Sequence, residues 1–171
     1  MGKRLQEVKL RGVHPQLVLM TSAWSVQLPF DILITSGVRT NAEQQALYAQ
    51  GRTKPGAIVT QASTAAFSPH GRRWFNGTAY GCAVDAVPCT GSAGQPNYDD
   101  RGAYEAMAII AERMRLVWGG RWVKFPDEPH FQLLAWKDWP PAPDDAPPPG
   151  GSREDPDFSD VVGGSSTKVD T

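Results

Sequence analysis

Histidine is scarce in this chain of 171 residues, so the surroundings of each of its three copies can be weighed separately. His14 stands beside a proline at a predicted helix start, where a capping or surface role is favoured. His70 ends a Ser-Pro-His sequence in a polar loop, and His130 follows an acidic, proline-containing turn. Taken one at a time, His70 and His130 are typical of surface or hydrogen-bonded histidines.

A carboxylate in an apolar strand changes this interpretation. Asp85 lies in the predicted strand 81–87 (GCAVDAV), and buried carboxylates are rare unless they are paired or bind a metal. Two imidazoles and one carboxylate form a common catalytic zinc site, so His70, Asp85 and His130 are candidate ligands. Asp127, three residues before His130, could act there as a general base. From the residues alone, a buried ion pair between Asp85 and an arginine, with two unrelated histidines, is an equally good interpretation.

The elements that must position these residues are a mixture of helices and strands. Apolar spacing predicts a helix from residue 15, and a Thr-x-x-Glu capping box predicts a second helix from residue 40 to a stop at Gly51. A longer amphipathic helix runs over residues 103–117 and ends at Gly119-Gly120. Predicted strands cover residues 32–36, 57–60, 81–87, 122–125 and 131–134, and residues 61–79 form a long loop. The order favours an α+β fold with a small, largely antiparallel sheet and flanking helices.

Composition divides the chain in two. Its formal net charge is −1, but residues 140–171 carry seven acids, two bases and seven of the 15 prolines. We therefore expect a folded domain at 1–139, with a net charge of +4, and a disordered, acidic, proline-rich tail at 140–171. No apolar run could span a bilayer, the N-terminus lacks the hydrophobic stretch of a signal peptide, and two cysteines make no disulfide framework.

Six stretches between about residues 13 and 135 carry recognisable motifs: 35–40 (TSGVRT), 43–53 (EQQALYAQGRT), 55–60 (PGAIVT), 68–70 (SPH), 81–85 (GCAVD) and 127–131 (DEPHF). In this order they resemble the zinc metallopeptidases of the VanY-type D-alanyl-D-alanine carboxypeptidase superfamily. Within that group the chain is most similar to phage L-alanyl-D-glutamate endopeptidases, which act as endolysins. The resemblance covers nearly the whole predicted domain and implies the superfamily's small α+β fold.

The resemblance also implies a role for particular residues. It makes His70, Asp85 and His130 the ligands of one zinc ion per chain, and Asp127 the catalytic acid–base residue. Arg39 would stabilise the oxyanion or position the substrate. Ser68 and Gln45 match positions near the cleft and are given a supporting role. Glu128 is the rival base, but the Asp-x-x-His spacing favours Asp127.

One departure from the family concerns the loop before Asp85. Asp85 follows His70 by fifteen positions, a longer interval than the family's usual one, and the extra residues lie within 71–80 (GRRWFNGTAY). A loop absorbs such an insertion at modest entropic cost. Arg72, Arg73 and Trp74 could then contact an anionic, sugar-bearing polymer at the groove rim, although a simple exposed basic loop is as good an interpretation.

The function implied is hydrolysis of an amide bond in the peptide stem of peptidoglycan, with L-alanyl–D-glutamate as the favoured target. The alternatives are a D-alanyl-D-alanine carboxypeptidase or dipeptidase with the same zinc site, and a non-catalytic wall-binding or zinc-structural module. We expect a monomer that binds peptidoglycan stems, not nucleic acid, and that does not insert into membranes. We also expect it to accumulate in the cytoplasm until a phage-encoded membrane lesion releases it to the wall.

Overall fold

The computed structural model describes residues 7–146, and this part of the chain combines three α-helices with six β-strands. The helices are α1 (Pro15–Ser25), α2 (Asn41–Ala49) and α3 (Arg101–Arg113). The strands are β1 (Ile32–Ser36), β2 (Arg72–Phe75), β3 (Thr78–Gly81), β4 (Ala83–Pro88), β5 (Leu116–Trp118) and β6 (His130–Leu133). The predicted α+β class is confirmed. No helix among these residues is both long enough and apolar enough to cross a bilayer.

The main sheet has four strands in the order β1-β4-β6-β5, and every neighbouring pair is antiparallel. A separate hairpin is formed by β2 and β3. One of the two inner strands, β4, is buried along almost its whole length, which explains why small and apolar residues surround Asp85 in it. This confirms the expected small antiparallel sheet.

Helices α1 and α3 cover one face of the sheet and enclose the core. Trp24 of α1 packs against Phe131 of β6 with ring centroids 4.4 Å apart. Met107 of α3 is fully buried, as the helical spacing of apolar residues predicts, and its neighbour Tyr104 is fully buried too. These contacts hold β6 between the helices and the cleft described below.

The N-terminal ends of the first two helices follow from local chemistry. The Thr40 side chain accepts a hydrogen bond from the Glu43 backbone N–H, and the Glu43 carboxylate accepts one from the Thr40 N–H, so the predicted capping box is present. His14 caps α1, accepting at Nδ1 from the Gln16 N–H at 3.2 Å. The buried His14 ring also stacks on Trp139 at a centroid distance of 5.1 Å, and it meets the rings of Phe75 and Tyr80 edge-on at 4.7 and 5.3 Å.

Several elements differ from the sequence prediction. The stretch 61–79 is not one long loop, because β2 and β3 turn at Asn76-Gly77, where both residues have positive φ (48° and 80°). Asn-Gly is the favoured pair for such a two-residue hairpin turn. Helix α3 ends at Arg113, because Arg115 has a φ of 63° and reverses the chain into β5. Residues 57–60 and 122–125 form no strand.

Residues 140–146, which the sequence assigned to a disordered tail, pack on the β2–β3 hairpin. The Trp74 N–H donates to the Pro140 carbonyl at 2.9 Å, and the Arg72 guanidinium donates to the Ala146 carbonyl at 2.8 Å. The side chain of Ala146 is buried. For these seven residues the prediction is wrong, because the open hydrogen-bonding edge of β2 gives a polar segment partners that composition does not show. The rest of the predicted tail, 147–171, lies outside the described residues.

Candidate metal centre and catalytic cleft

The main sheet brings two of the predicted ligands together. Asp85 of β4 and His130 of β6 are direct cross-strand partners, so their side chains leave the sheet side by side on one face. On the other side of β4, the pairing with β1 is irregular between Ile34 and Ser36. Such bulges are frequent next to active sites, and here the displaced Thr35 lines the cleft and donates from Oγ1 to the Asp85 carbonyl.

The third predicted ligand, His70, comes from the loop before the hairpin and is fixed by backbone hydrogen bonds. Its carbonyl accepts from the Arg39 N–H at 2.9 Å, and its N–H donates to Ser68 Oγ at 3.2 Å. The Cys82 N–H donates to the Pro69 carbonyl at 2.7 Å, which ties the loop to the start of β4. The side chain of His70 is only 1% exposed.

The three side chains converge on one point. His70 Nε2 lies 3.1 Å from Asp85 Oδ1 and 3.1 Å from His130 Nδ1. His130 Nδ1 lies 3.3 Å from the same Asp85 oxygen. Ligand atoms at the usual distances from a tetrahedral zinc ion are about 3.3 Å apart. The spacing therefore fits one face of a zinc coordination tetrahedron, and these are the residues that could hold a metal ion.

Hydrogen bonds on the far side of each imidazole support this fit. His70 Nδ1 donates to the Gly37 carbonyl at 2.7 Å, and His130 Nε2 donates to Gln132 Oε1 at 2.9 Å. With those nitrogens protonated, His70 Nε2 and His130 Nδ1 both present lone pairs to each other and to a carboxylate oxygen. Three electron-rich atoms this close repel one another unless a cation lies among them. The arrangement is that of a metal site with an outer shell that sets both tautomers.

The pKa values of the ligands reflect their burial and their mutual contacts. Burial lowers the pKa of His70 below its ordinary value, which favours the neutral, metal-binding form. Burial alone would raise the pKa of Asp85, but His70, His130 and Arg39 hold it well below its usual range. Burial opposes protonation of His130, yet its hydrogen bond and ion pair with Asp85 raise its pKa. Asp85 is therefore an anion that both imidazoles face.

Arg39 forms the second contact of the Asp85 carboxylate. Its Nη2 binds Asp85 Oδ2, and its Nε donates to Ser36 Oγ at 3.0 Å. Asp85 thus uses one oxygen for arginine and the other for the histidines. The sequence left open whether Asp85 pairs with an arginine or groups with His70 and His130, and the structure shows both contacts together.

Of the two candidates for the base, Asp127 lies in the cleft and Glu128 lies outside it. Asp127 lines the cleft beside the three ligands. Burial raises its pKa, and the charge of Asp85 raises it further. Glu128 is ion-paired with Arg101 of α3 and does not line the cleft. The placement supports Asp127 as the base.

The cleft above the ligands has a volume of about 530 Å³. One wall is formed by residues 59–62 and 67–69, and the other by Trp122, Phe125, Asp127 and Pro129. Trp136 and Lys137 complete the lining. The wall at 60–62 is held by the buried Gln44, whose amide donates to Thr60 Oγ1 and to the Ala62 carbonyl.

Of the predicted substrate-binding residues, one lines the cleft and the others lie outside it. Ser68 lines the cleft and is buried. Gln45 is exposed on α2 and does not line it, whereas its neighbour Gln44 faces inward. None of Arg72, Arg73 and Trp74 reaches the cleft either.

The two arginines serve the packing of the hairpin instead. Arg73 is 5% exposed, donates to the Ala66 carbonyl and lies over the Trp136 ring at 4.7 Å. Arg72 is bound to the end of the described chain. Their charge was compatible with contacts to an anionic polymer at the groove rim. In the structure, the β2–β3 hairpin places Arg72 and Arg73 against other parts of this chain instead.

Sequence reasoning missed the residues that orient the ligands. Gln132 follows His130 by two positions and therefore shares its face of β6, a signal that alternation could have supplied. The hydrogen bond from His70 Nδ1 to the Gly37 carbonyl could not be predicted, because a backbone acceptor is not specified by any side chain. Cys82 is buried, and burial raises the pKa of its thiol to about 12, in keeping with the expected core position away from the metal.

Comparisons with known proteins find related sequences and a similar fold. Residues 61–133 match the sequence profile of a family described as D-alanyl-D-alanine carboxypeptidase. The peptidoglycan L-alanyl-D-glutamate endopeptidase CwlK of Bacillus subtilis (strain 168) is 32% identical over 111 residues, and the match spans 61% of each chain. The fold resembles the crystal structure of Serratia marcescens L-Ala D-Glu endopeptidase ChiX, with a TM-score of 0.55 and 24% identity, over 80% of this chain and 94% of that one.

Proposed function

We propose that this chain, which is related to the D-alanyl-D-alanine carboxypeptidase family and to L-alanyl-D-glutamate endopeptidases, is a zinc-dependent peptidase of peptidoglycan peptide stems. The observation that carries the proposal is the convergence of His70 Nε2, Asp85 Oδ1 and His130 Nδ1, each within 3.3 Å of the others. A structural zinc site would be closed by a fourth protein ligand, whereas this one faces a cleft that also holds Asp127.

The bond favoured is L-alanyl–D-glutamate. Both compared endopeptidases, CwlK and ChiX, are named for that bond. The description of the matching family favours a second candidate, removal of D-alanine by a carboxypeptidase or dipeptidase with the same metal site. Both candidates would use the same metal site, formed by His70, Asp85 and His130.

His70, Asp85 and His130 would hold the zinc ion, which when bound supplies Lewis-acid polarisation of the scissile carbonyl and lowers the pKa of water. Asp127, with its raised pKa, takes the proton from the attacking water and returns it to the leaving amine. Arg39 fixes the second oxygen of Asp85, and its Nη1 bonds to none of the described residues. That nitrogen is available to donate to the developing oxyanion. Trp122 and Phe125 line the cleft beside Asp127.

Mass spectrometry of muropeptides before and after digestion tests the proposal. An L-alanyl-D-glutamate endopeptidase produces stems with a new N-terminal D-glutamate, and chelation of zinc abolishes them. Loss of D-alanine instead identifies the carboxypeptidase candidate. If wall fragments bind without any change of mass, the protein is a binding module, and the proposed function is wrong.

Two further proposals concern the oligomeric state and the biological setting. We expect a monomer, because the cleft is built within one chain. We also propose phage lysis as the setting, with cytoplasmic accumulation followed by release through a membrane lesion. Fractionation of infected cells before and during lysis tests that setting.

A further inference from the structure

A second cavity of about 500 Å³ adjoins the catalytic cleft. The two share Thr35, Arg39 and Leu47, so Arg39 stands between them. The charged residues of the second cavity are Lys9, Arg11, Arg39 and Glu43. We refer to this cavity as the basic pocket.

The basic pocket is attached to the metal site through the backbone. A Cβ built on Gly37 would lie 1.9 Å from the Lys9 carbonyl oxygen, so only glycine allows the segment that carries Lys9 to approach this closely. The Gly37 carbonyl is in turn the acceptor for His70 Nδ1. The backbone of Lys9 is therefore fixed relative to His70, because Gly37 contacts both residues.

The charges of the basic pocket favour an anion. Three cationic side chains and one carboxylate line it, and because the charge of Arg39 is already paired with Asp85, Lys9 and Arg11 outnumber Glu43. Glu43 already accepts hydrogen bonds from Thr40 in the capping box, which lower its pKa, and the charges of Lys9 and Arg39 lower it further. Lys9 is exposed and forms no ion pair with another described residue.

The proposed substrate carries a matching group. A glutamyl residue has two carboxyl groups, and only one of them continues the peptide, so the other is a free carboxylate near the scissile bond. We infer that the basic pocket binds a carboxylate of the stem peptide. Lys9 is the residue that contacts this carboxylate in addition to Arg39. This inference rests on the proposed function. The carboxylate comes either from the glutamyl residue or from the residue that follows it.

Three synthetic stem peptides distinguish these sources. The first has both carboxylates free, the second has the glutamyl carboxylate converted to an amide, and the third has the following residue's carboxylate converted to an amide. The variant is Lys9→Met, which keeps the aliphatic stem and removes the charge. Lys54→Met is the matched control, because Lys54 is an exposed lysine that lines neither cavity.

We expect the wild-type protein to prefer the free carboxylate to one of the two amides by about tenfold in kcat/KM, as for a charge-assisted hydrogen bond. Lys9→Met should bring the ratio of kcat/KM between the two peptides close to one, mainly through a change in KM. Lys54→Met should leave that ratio as in wild type. The amide that is discriminated identifies the source. Equal cleavage of all three peptides by wild type, or a preference that survives Lys9→Met, would overturn the inference and leave the proposed function intact. Failure to cleave any peptide would instead remove L-alanyl–D-glutamate as the bond of the proposed function.

Discussion

Replacing Gln132 with leucine tests whether the outer shell of the metal site controls zinc affinity. Gln132 is 9% exposed, and its Oε1 accepts the only hydrogen bond that His130 Nε2 makes within the described residues, at 2.9 Å. Leucine fills a similar volume without an acceptor, so the His130 ring loses the partner that keeps the lone pair on Nδ1. Loss of such partners typically lowers metal affinity by about 10–100-fold. This corresponds to about 1.4–2.7 kcal/mol of binding free energy.

The assay is competition for zinc with a chromogenic chelator at neutral pH. Gln132→Glu keeps an acceptor at the same place and should retain affinity close to wild type. Gln45→Leu makes the same chemical change on the exposed face of α2 and should have no effect. If Gln132→Leu is folded by circular dichroism and binds zinc as tightly as wild type, the reasoning about His130 orientation is refuted.

Three other predictions concern folding and the loop before the hairpin. Gly71→Ala should weaken zinc binding, because its Cβ would lie 2.0 Å from a backbone carbonyl oxygen, whereas Gly102→Ala, with nothing nearer than 3.6 Å, should not. Met107→Ala should lower the free energy of unfolding in urea by about 2–5 kcal/mol, and Ile109→Ala, at a 48% exposed position on the same helix, should change it by less than about 0.5 kcal/mol. Burial lowers the pKa of His14 below 6.5, so the unfolded chain takes up that proton first and stability falls as pH drops below 6.5. The cap-preserving variant His14→Asn should lose less stability than wild type between neutral and mildly acidic pH, and an equal loss would contradict the argument.

The parts of the site that the sequence predicts are those encoded locally. Thr40 and Glu43 form their capping box because both partners lie within one turn. Asp85 was recognisable because a carboxylate in an apolar strand needs a partner. These signals required no knowledge of how strands pair.

The parts that the sequence did not predict depend on pairing and register. Nothing local shows that Asp85 and His130 are opposite each other in neighbouring strands, and their common role came from a family resemblance. The Asn76-Gly77 turn was a local signal that the prediction overlooked. Arg73 was placed either at the groove rim or in an exposed basic loop, and its burial was not foreseen because it depends on the approach of Trp136 from a distant part of the chain and of Ala66 from the preceding loop.

The most direct test of the proposed mechanism is hydrolysis of an L-alanyl-D-glutamyl peptide by the Asp127→Asn variant loaded with zinc. Asparagine keeps the shape of the side chain but cannot accept the proton, and Asp127 is not among the three metal ligands. We predict one zinc ion per chain and a turnover rate that is about 10²–10⁴-fold lower than wild type. Full turnover by the zinc-loaded variant would contradict the account, because the cleft would then hold a metal site whose base lies elsewhere.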